Sequence, residues 1–153
     1  LTFIENALAK ARHASESSQL PAIADDSGIV VDALDGAPGI YSARFAGSPS
    51  DDDANNRKLL AELRDHSNRR AHYYCAIVFL RHARDPAPVI ATGRWFGEIV
   101  DEPAGDGGFG YDPYFAVPGR NLTAAQLDPA EKNRLSHRGQ AVRRFLDSLR
   151  SDS

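Results

Sequence analysis

Residues 72–82 read HYYCAIVFLRH, and this run decides the class of fold. Apolar side chains occupy both alternating sets of positions in it. Because successive side chains of a strand point to opposite faces, such a strand must be buried on both faces. The run therefore predicts a strand at the centre of a sheet that is covered on both sides.

The segment that follows supplies a partner strand. Residues 89–100 alternate through small, apolar and aromatic residues, namely Val89, Ala91, Gly93, Trp95, Gly97 and Ile99. The intervening residues 85–88 read DPAP, which is typical of a turn. The pattern predicts a hairpin of two long strands.

Helices are predicted on either side of this hairpin. Thr2 and Glu5 fit a capping box that begins a first helix, and Asn6 and Lys10 share one face of that helix. Ser50 with Asp51, Asp52 and Asp53 predicts the N-cap and acidic first turn of a second helix, to about Arg64. Asp128 and Ser136 predict the caps of two more, and the last has a predicted apolar stripe of Val142, Phe145, Leu146 and Leu149.

Length and composition fit one mixed α/β domain over residues 1–153. Hydrophobic residues make up 42% and charged residues 25% of the 153 positions, which is ordinary globular usage. The net charge of −3, without a basic block, argues against binding to a nucleic-acid polymer or an anionic membrane. The one cysteine, Cys75, lies in an apolar run and is predicted to be a buried, inert thiol. We expect a cytoplasmic protein.

The stretch ADDSG at residues 24–28 has two interpretations. Residues 20–24 and 29–31 read as two short strands, and Asp, Ser and Gly are common turn residues, so a turn between strands is the simpler interpretation. Paired carboxylates behind a strand can also hold Mg²⁺ or take a proton from an attacking water. Because neighbouring residues of an extended chain point oppositely, only one of Asp25 and Asp26 need face a site.

A second candidate is the glycine-rich stretch AGDGGFGYDP at residues 104–113. Its four glycines allow the backbone to approach a ligand closely. Phe109 and Tyr111 within it could stack on a planar base or fold back onto the core, and the residues alone leave both possibilities open.

A third candidate is Lys132 together with residues 136–139, SHRG. His137 and Arg138 would lie in the first turn of the last helix, where cations oppose the helix dipole. A local inconsistency of this kind hints at function, although a solvated basic helix end is the simpler interpretation.

Four segments in this order resemble a known family. They are ENALAKARHAS (5–15), AIADDSGIVVDALDGAPGIYSARFAG (22–47), EPAGDGGFGYDPYF (102–115) and TAAQLDPAEKNRLSHRGQAVR (123–143). Together they resemble the Ham1-like inosine/xanthosine triphosphate pyrophosphatases over nearly the whole chain. The resemblance implies an elongated α/β fold in which helices flank a long, strongly twisted mixed sheet, with two lobes and a central cleft. It also implies a homodimer.

The same resemblance implies an Mg²⁺-dependent hydrolysis of ITP, dITP and XTP to the monophosphate and pyrophosphate, which keeps deaminated purines out of nucleic acids. Asp26 matches the catalytic, metal-associated carboxylate, with Ser27 beside it contacting substrate. The remaining matched positions are predicted to bind substrate: Lys10 at the phosphates, Phe109, Gly110, Tyr111 and Asp112 in the base-binding loop, and Lys132, His137 and Arg138 at the purine edge.

Two alternatives stay open at this point. One is a Maf-like pyrophosphatase acting on modified pyrimidine triphosphates, and the other is a nucleotide-binding module without activity. The sequence contains no Met, and its first predicted helix has no strand before it. We therefore expect it to be part of a longer chain that lacks the family's N-terminal strand and phosphate-binding loop. A protein beginning at Leu1 would be inactive or poorly folded, whereas a longer protein that contains these segments should have the family's activity.

Overall fold

The computed structural model describes residues 1–151, and its sheet is built around the strand predicted to be central. Five strands follow the chain in the order β1-β2-β3-β4-β5. They are β1 (Ala22–Val31), β2 (Arg70–Leu80), β3 (Val89–Ile99), β4 (Phe115–Val117) and β5 (Leu122–Thr123). The long β2–β3 hairpin is confirmed, with β1 along the other edge of β2. The resemblance implies a mixed sheet, whereas each strand pair within residues 1–151 is antiparallel.

Helices cover both faces of β2. They are α1 (Phe3–Ser18), α2 (Asp52–Leu63), α3 (Pro129–Leu135) and α4 (His137–Ser151). Helix α1 packs on Ala76, Val78 and Leu80, while α4 packs on the alternate residues Cys75 and Ile77. Because the two helices contact alternate positions of β2, they lie on opposite faces of the sheet. The α/β class and the double coverage of β2 are confirmed.

The buried thiol of Cys75 is also confirmed. Its side chain is fully buried and forms no disulfide. Burial raises the pKa of Cys75 to about 11, so the group stays a neutral thiol at physiological pH.

Most helix starts follow the predicted capping. Thr2 accepts a hydrogen bond from the Glu5 amide, and Asp128 accepts one from the Glu131 amide. Ser136 likewise caps α4 by accepting from the Gly139 amide at 3.0 Å. The cap of α2 differs from the prediction: Asp51 accepts from the Ala54 amide, while the Ser50 hydroxyl donates to the Ala43 carbonyl.

The prediction of two short strands joined by a turn at ADDSG is wrong. Residues 22–31 form one continuous strand that pairs with β2 along its whole length. Gly28 does not serve a positive φ there. A Cβ on Gly28 would lie 2.5 Å from the Gly39 carbonyl oxygen and 2.6 Å from the Ser42 hydroxyl, so glycine is required by close approach of the neighbouring segment.

The predicted stripe of α4 is partly wrong. Phe145 is buried as predicted, but Val142 and Leu146 are about two-fifths exposed, at 40% and 44%. Helix α4 instead places Ala141 on the sheet, where its backbone comes close to Gly93 of β3. Within residues 1–151, no helix is long and apolar enough to span a membrane.

Candidate functional site

A cavity of about 320 Å³ opens where β1, the glycine-rich loop and the start of α4 meet. Its wall includes Ser27, Phe109, Lys132, His137 and Arg138, and Gly110, Tyr111 and Asp112 complete the loop side. We refer to it as the first cavity. The structure brings together here these eight of the ten sequence-predicted site residues, while the other two, Lys10 and Asp26, lie elsewhere. The volume suits a planar heterocycle of the size that protein pockets commonly enclose.

Asp112 accepts hydrogen bonds from three other residues around this cavity. Its carboxylate is 3% exposed and accepts hydrogen bonds from Tyr73 Oη at 2.8 Å, Lys132 Nζ at 2.6 Å and the Phe109 amide at 3.0 Å. Burial, followed by the charge of Asp112, raises the pKa of Tyr73 well above its usual range, so the Tyr73 hydroxyl remains a donor. Asp112 therefore positions the loop and Lys132 rather than standing open to solvent.

The two aromatic residues of the loop have different environments. Tyr111 is 5% exposed and donates its hydroxyl proton to the Ser42 carbonyl at 2.6 Å, so it belongs to the core while forming part of the cavity wall. Phe109 is 75% exposed, and Lys132 Nζ lies 4.7 Å from its ring centroid. Of the two rings, Phe109 is the one free to stack on a planar ligand.

His137 begins α4 with its ring stacked on Tyr73. The ring centroids are 4.8 Å apart and the planes differ by 14°. Burial lowers the pKa of His137 to about 4, Arg138 and Lys132 lower it as well, and Asp112 opposes them. The imidazole is therefore neutral at physiological pH. Within residues 1–151 its buried Nδ1 has no hydrogen-bond partner, which leaves a polar atom available to a ligand.

Arg138 forms an ion pair with Asp25. Its guanidinium Nη2 lies 2.8 Å from Asp25 Oδ2, and both side chains are about half exposed. Through this contact, Asp25 orients the side chain of Arg138. The guanidinium retains further N–H donors for a ligand.

Asp26 lies on the other face of β1, in a second cavity of about 640 Å³. Its Oδ1 accepts from Lys10 Nζ at 3.1 Å, and its Oδ2 accepts from Asn6 Nδ2 at 3.2 Å. Lys10 also donates to the Asp25 carbonyl at 3.0 Å. Arg44 adds a second cation to the wall of this second cavity. With two cations and one carboxylate on its wall, the second cavity is suited to a polyanionic ligand.

The two cavities adjoin each other. Ala43 and Ser50 line both of them. Ala43 belongs to the 3₁₀ turn Gly39–Arg44, and Ser50 lies between that turn and α2. Ser27 and Asp26 are neighbours on β1 but face opposite sides of it, so each contributes to a different cavity. A ligand with a planar head and an anionic tail could occupy both.

Sequence reasoning missed several residues of the site. Asn6 carried a signal, since its spacing of four from Lys10 placed both on one helical face. Tyr73 lies within an apolar strand and Ser42 within the short 3₁₀ turn Gly39–Arg44, so neither had a local pattern that indicated a contact with the glycine-rich loop.

The α/β fold and the paired cavities suit a nucleotide, because one cavity has an exposed aromatic ring and the other is lined by two cations. The sequence profile of the Ham1 family matches residues 1–148, and the chain belongs to that family. This membership sets it apart from the Maf-like alternative.

Named relatives and solved structures agree with this membership. The chain is 59% identical to the dITP/XTP pyrophosphatase of Ralstonia nicotianae, over 97% of this chain and 76% of the relative. It is 56% identical to the dITP/XTP pyrophosphatase of Escherichia coli O157:H7, over 99% and 78%. A HAM1 protein from Coxiella burnetii superposes with a TM-score of 0.95 at 49% identity, covering 99% of this chain and 78% of that one. The Staphylococcus aureus Ham1 protein gives 0.94 at 42% identity, covering 100% and 79%.

Proposed function

We propose that the protein hydrolyses noncanonical purine nucleoside triphosphates, namely ITP, dITP and XTP, to the monophosphate and pyrophosphate. The observation that carries this proposal is the pair of adjoining cavities, one with an exposed aromatic ring and polar donors, the other with cations around Asp26. The relatives named dITP/XTP pyrophosphatase support the same reaction. Its role is to remove deaminated purines from the nucleotide pool.

In the first cavity, the base stacks on Phe109 and its edge meets Lys132, His137 and Arg138. A lysine ammonium has three donors, so Lys132 can hold Asp112 and still donate to a 6-oxo group. Adenine carries an amino group at that position and would leave these donors unpaired. Unpaired donors in a closed pocket are unfavourable, so the pocket favours hypoxanthine and xanthine.

In the second cavity, Lys10 and Arg44 offset the negative charge of the triphosphate. Asp26 takes a proton from a water whose oxygen bonds to the α-phosphorus. The bond from the α-phosphorus to the bridging oxygen breaks, and pyrophosphate leaves with its electron pair. Such reactions depend chiefly on positioning and charge stabilisation, which the fixed carboxylate of Asp26 and the two cations supply.

The donor set fits Mg²⁺ that is shared with the substrate. Within residues 1–151 no three His, Cys, Asp or Glu side chains cluster as a metal site, and Asp26 is the one carboxylate among the described residues that line the second cavity. Mg²⁺ is commonly held by one or two carboxylates together with phosphate oxygens. When bound, the ion would neutralise phosphate charge. The homodimer and the cytoplasmic location remain predictions from the sequence.

Separation of reaction products tests this function. The complete protein, with whatever residues precede Leu1, is incubated with ITP, XTP or ATP and Mg²⁺, and nucleotides and phosphates are resolved by anion exchange. We expect IMP or XMP with equimolar pyrophosphate, and kcat/KM for ITP at least about 100-fold above that for ATP. Release of orthophosphate would refute the proposed bond cleavage, and equal rates on ITP and ATP would refute the base assignment. ITP binding by calorimetry without turnover would support a nucleotide-binding module instead.

A further inference from the structure

Helix α2 grips the glycine-rich loop at a single residue, Gly110. The Gly110 amide donates to Asp52 Oδ2 at 3.1 Å, and the Gly110 carbonyl accepts from Asn56 Nδ2 at 3.0 Å. Asp52 and Asn56 are four residues apart, so they share one face of the helix. Both polar backbone groups of Gly110 are therefore held by one helical turn. We call Asp52 and Asn56 the α2 clamp.

Gly110 is the residue at which the loop changes direction. Its φ of +61° lies in the left-handed region, which glycine adopts without strain. It joins exposed Phe109 to buried Tyr111. The orientation of the Gly110 backbone therefore decides how the Phe109 ring projects from the core.

The clamp stands on a rigid support. Leu59 and Leu63, on the same helix, are fully buried in the largest core cluster. The Asn55 side chain ties α2 to the preceding segment by accepting from the Ala46 amide at 2.7 Å and donating to the Ala43 carbonyl at 3.0 Å. A side chain on an anchored helix fixes its partner more tightly than one on a loop.

Asn56 is itself 6% exposed, and its Oδ1 is buried without a hydrogen-bond partner within residues 1–151. A buried acceptor without a donor is unfavourable. The favourable contacts of this side-chain amide are therefore the two hydrogen bonds that Nδ2 donates, to the Asp52 carbonyl and to the Gly110 carbonyl.

Phe109 depends on this support because its own ring is 75% exposed and packs little against the core. We propose that Asp52 and Asn56 are positioning residues that hold the Phe109 ring at the angle needed for stacking on the purine. This inference rests on the proposed function. The clamp acts on base affinity, and it contacts none of the groups around Asp26.

Steady-state kinetics on clamp variants of the complete protein test the proposal. Asp52→Ala and Asn56→Ala each remove one bond to Gly110, while Asp52→Asn keeps an acceptor oxygen. Asp53→Ala is the matched control, because Asp53 is an exposed carboxylate in the same first turn with no hydrogen bond or ion pair among the described residues. Inorganic tripolyphosphate serves as an inhibitor that lacks a base.

We expect Asp52→Ala and Asn56→Ala each to raise KM for ITP about 10-fold, because a 10-fold change corresponds to the net contribution of one hydrogen bond. Their kcat should stay within about 3-fold, and their inhibition constant for tripolyphosphate within about 2-fold. Asp52→Asn and Asp53→Ala should resemble the wild type. An unchanged KM in Asn56→Ala would overturn the proposal, as would equal losses in kcat and tripolyphosphate affinity, which a merely structural role predicts.

Amide hydrogen exchange in the ligand-free protein gives a readout that needs no turnover. Exchange of residues 105–111 should be faster in Asp52→Ala and Asn56→Ala than in Asp53→Ala, because the loop loses its support. Equal exchange in all three would contradict the clamp. If the wild type hydrolyses no purine triphosphate, the proposed function fails, and this measurement still decides whether the clamp exists.

Discussion

Asp26 receives hydrogen bonds on both of its carboxylate oxygens, from Lys10 and from Asn6. This holds the group in one orientation beside the cations of the second cavity. A fixed carboxylate with remaining lone pairs can accept a proton from water without reorganising first. Its neighbour Asp25 faces the opposite side of β1 and pairs with Arg138, so adjacent carboxylates have different tasks.

Replacing Asp26 with Asn removes the proton acceptor and keeps the shape. We expect kcat for ITP to fall about 10²- to 10⁴-fold, the usual contribution of a general base, while the affinity for ITP changes little. Steady-state kinetics and calorimetry measure the two effects. Asp35→Asn, the same substitution at an exposed turn, is the control and should retain wild-type kcat. Survival of turnover in Asp26→Asn would exclude Asp26 as the base.

His137 makes the stability of the protein depend on pH. Its pKa is about 4 in the folded chain, below the ordinary 6.5, so the folded state resists protonation. The contribution of neutral His137 to the free energy of unfolding is fully present above pH 6.5 and is lost as the pH falls from 6.5 towards 4.

Urea unfolding at pH 7 and pH 5 measures this dependence. Between these values we expect wild type to lose about 2 kcal/mol more free energy of unfolding than His137→Phe, which keeps the stack on Tyr73 and has no titrating group. His82→Phe, at an exposed histidine, should follow the wild type. Parallel behaviour of all three proteins would contradict the assignment.

The strands and helices were predicted wherever hydrophobic pattern and capping chemistry agreed. The double-sided run of β2 and the caps at Thr2 and Asp128 are examples. The error at ADDSG has a physical reason. The residues favour a turn locally, but ten residues of pairing with β2 and the close approach of Ser42 to Gly28 override that preference. Such tertiary contacts leave no mark on the local sequence.

Gly93 shows how one element fixes another. A Cβ at this position of β3 would collide with the His137 carbonyl and lie 2.9 Å from the Ala141 amide of α4. Gly93→Ala should therefore push the start of α4 off the sheet and destabilise the protein by about 1–3 kcal/mol.

Because His137 and Arg138 begin α4, Gly93→Ala should also raise KM for ITP while leaving Asp26 chemistry intact. Thermal unfolding and kinetics measure the two effects. Wild-type stability together with wild-type KM in this variant would show that α4 is not held by contact with β3 at this point.

Across the whole fold, the proposed base site and the proposed phosphate site lie on opposite faces of β1. The residues of the site were predicted through the resemblance. In the structure, eight of them line the first cavity, and Lys10 and Asp26 line the second cavity. The assignment of Asp26 and Ser27 to different cavities could not be predicted, because it follows from the continuous strand β1, whereas the predicted turn would have placed the two side chains together. The α2 clamp could not be predicted either, because Asp52 and Gly110 are 58 residues apart and meet only in the fold.

A crystal structure of Asp26→Asn with ITP and Mg²⁺ would show how the substrate occupies the two cavities. We expect hypoxanthine in the first cavity, stacked on Phe109 with its 6-oxo group facing Lys132, His137 or Arg138. The triphosphate should pass Ser50 into the second cavity, with the α-phosphorus nearest residue 26 and Lys10 beside the phosphates. A base bound outside the first cavity, or an α-phosphorus remote from residue 26, would contradict this expectation.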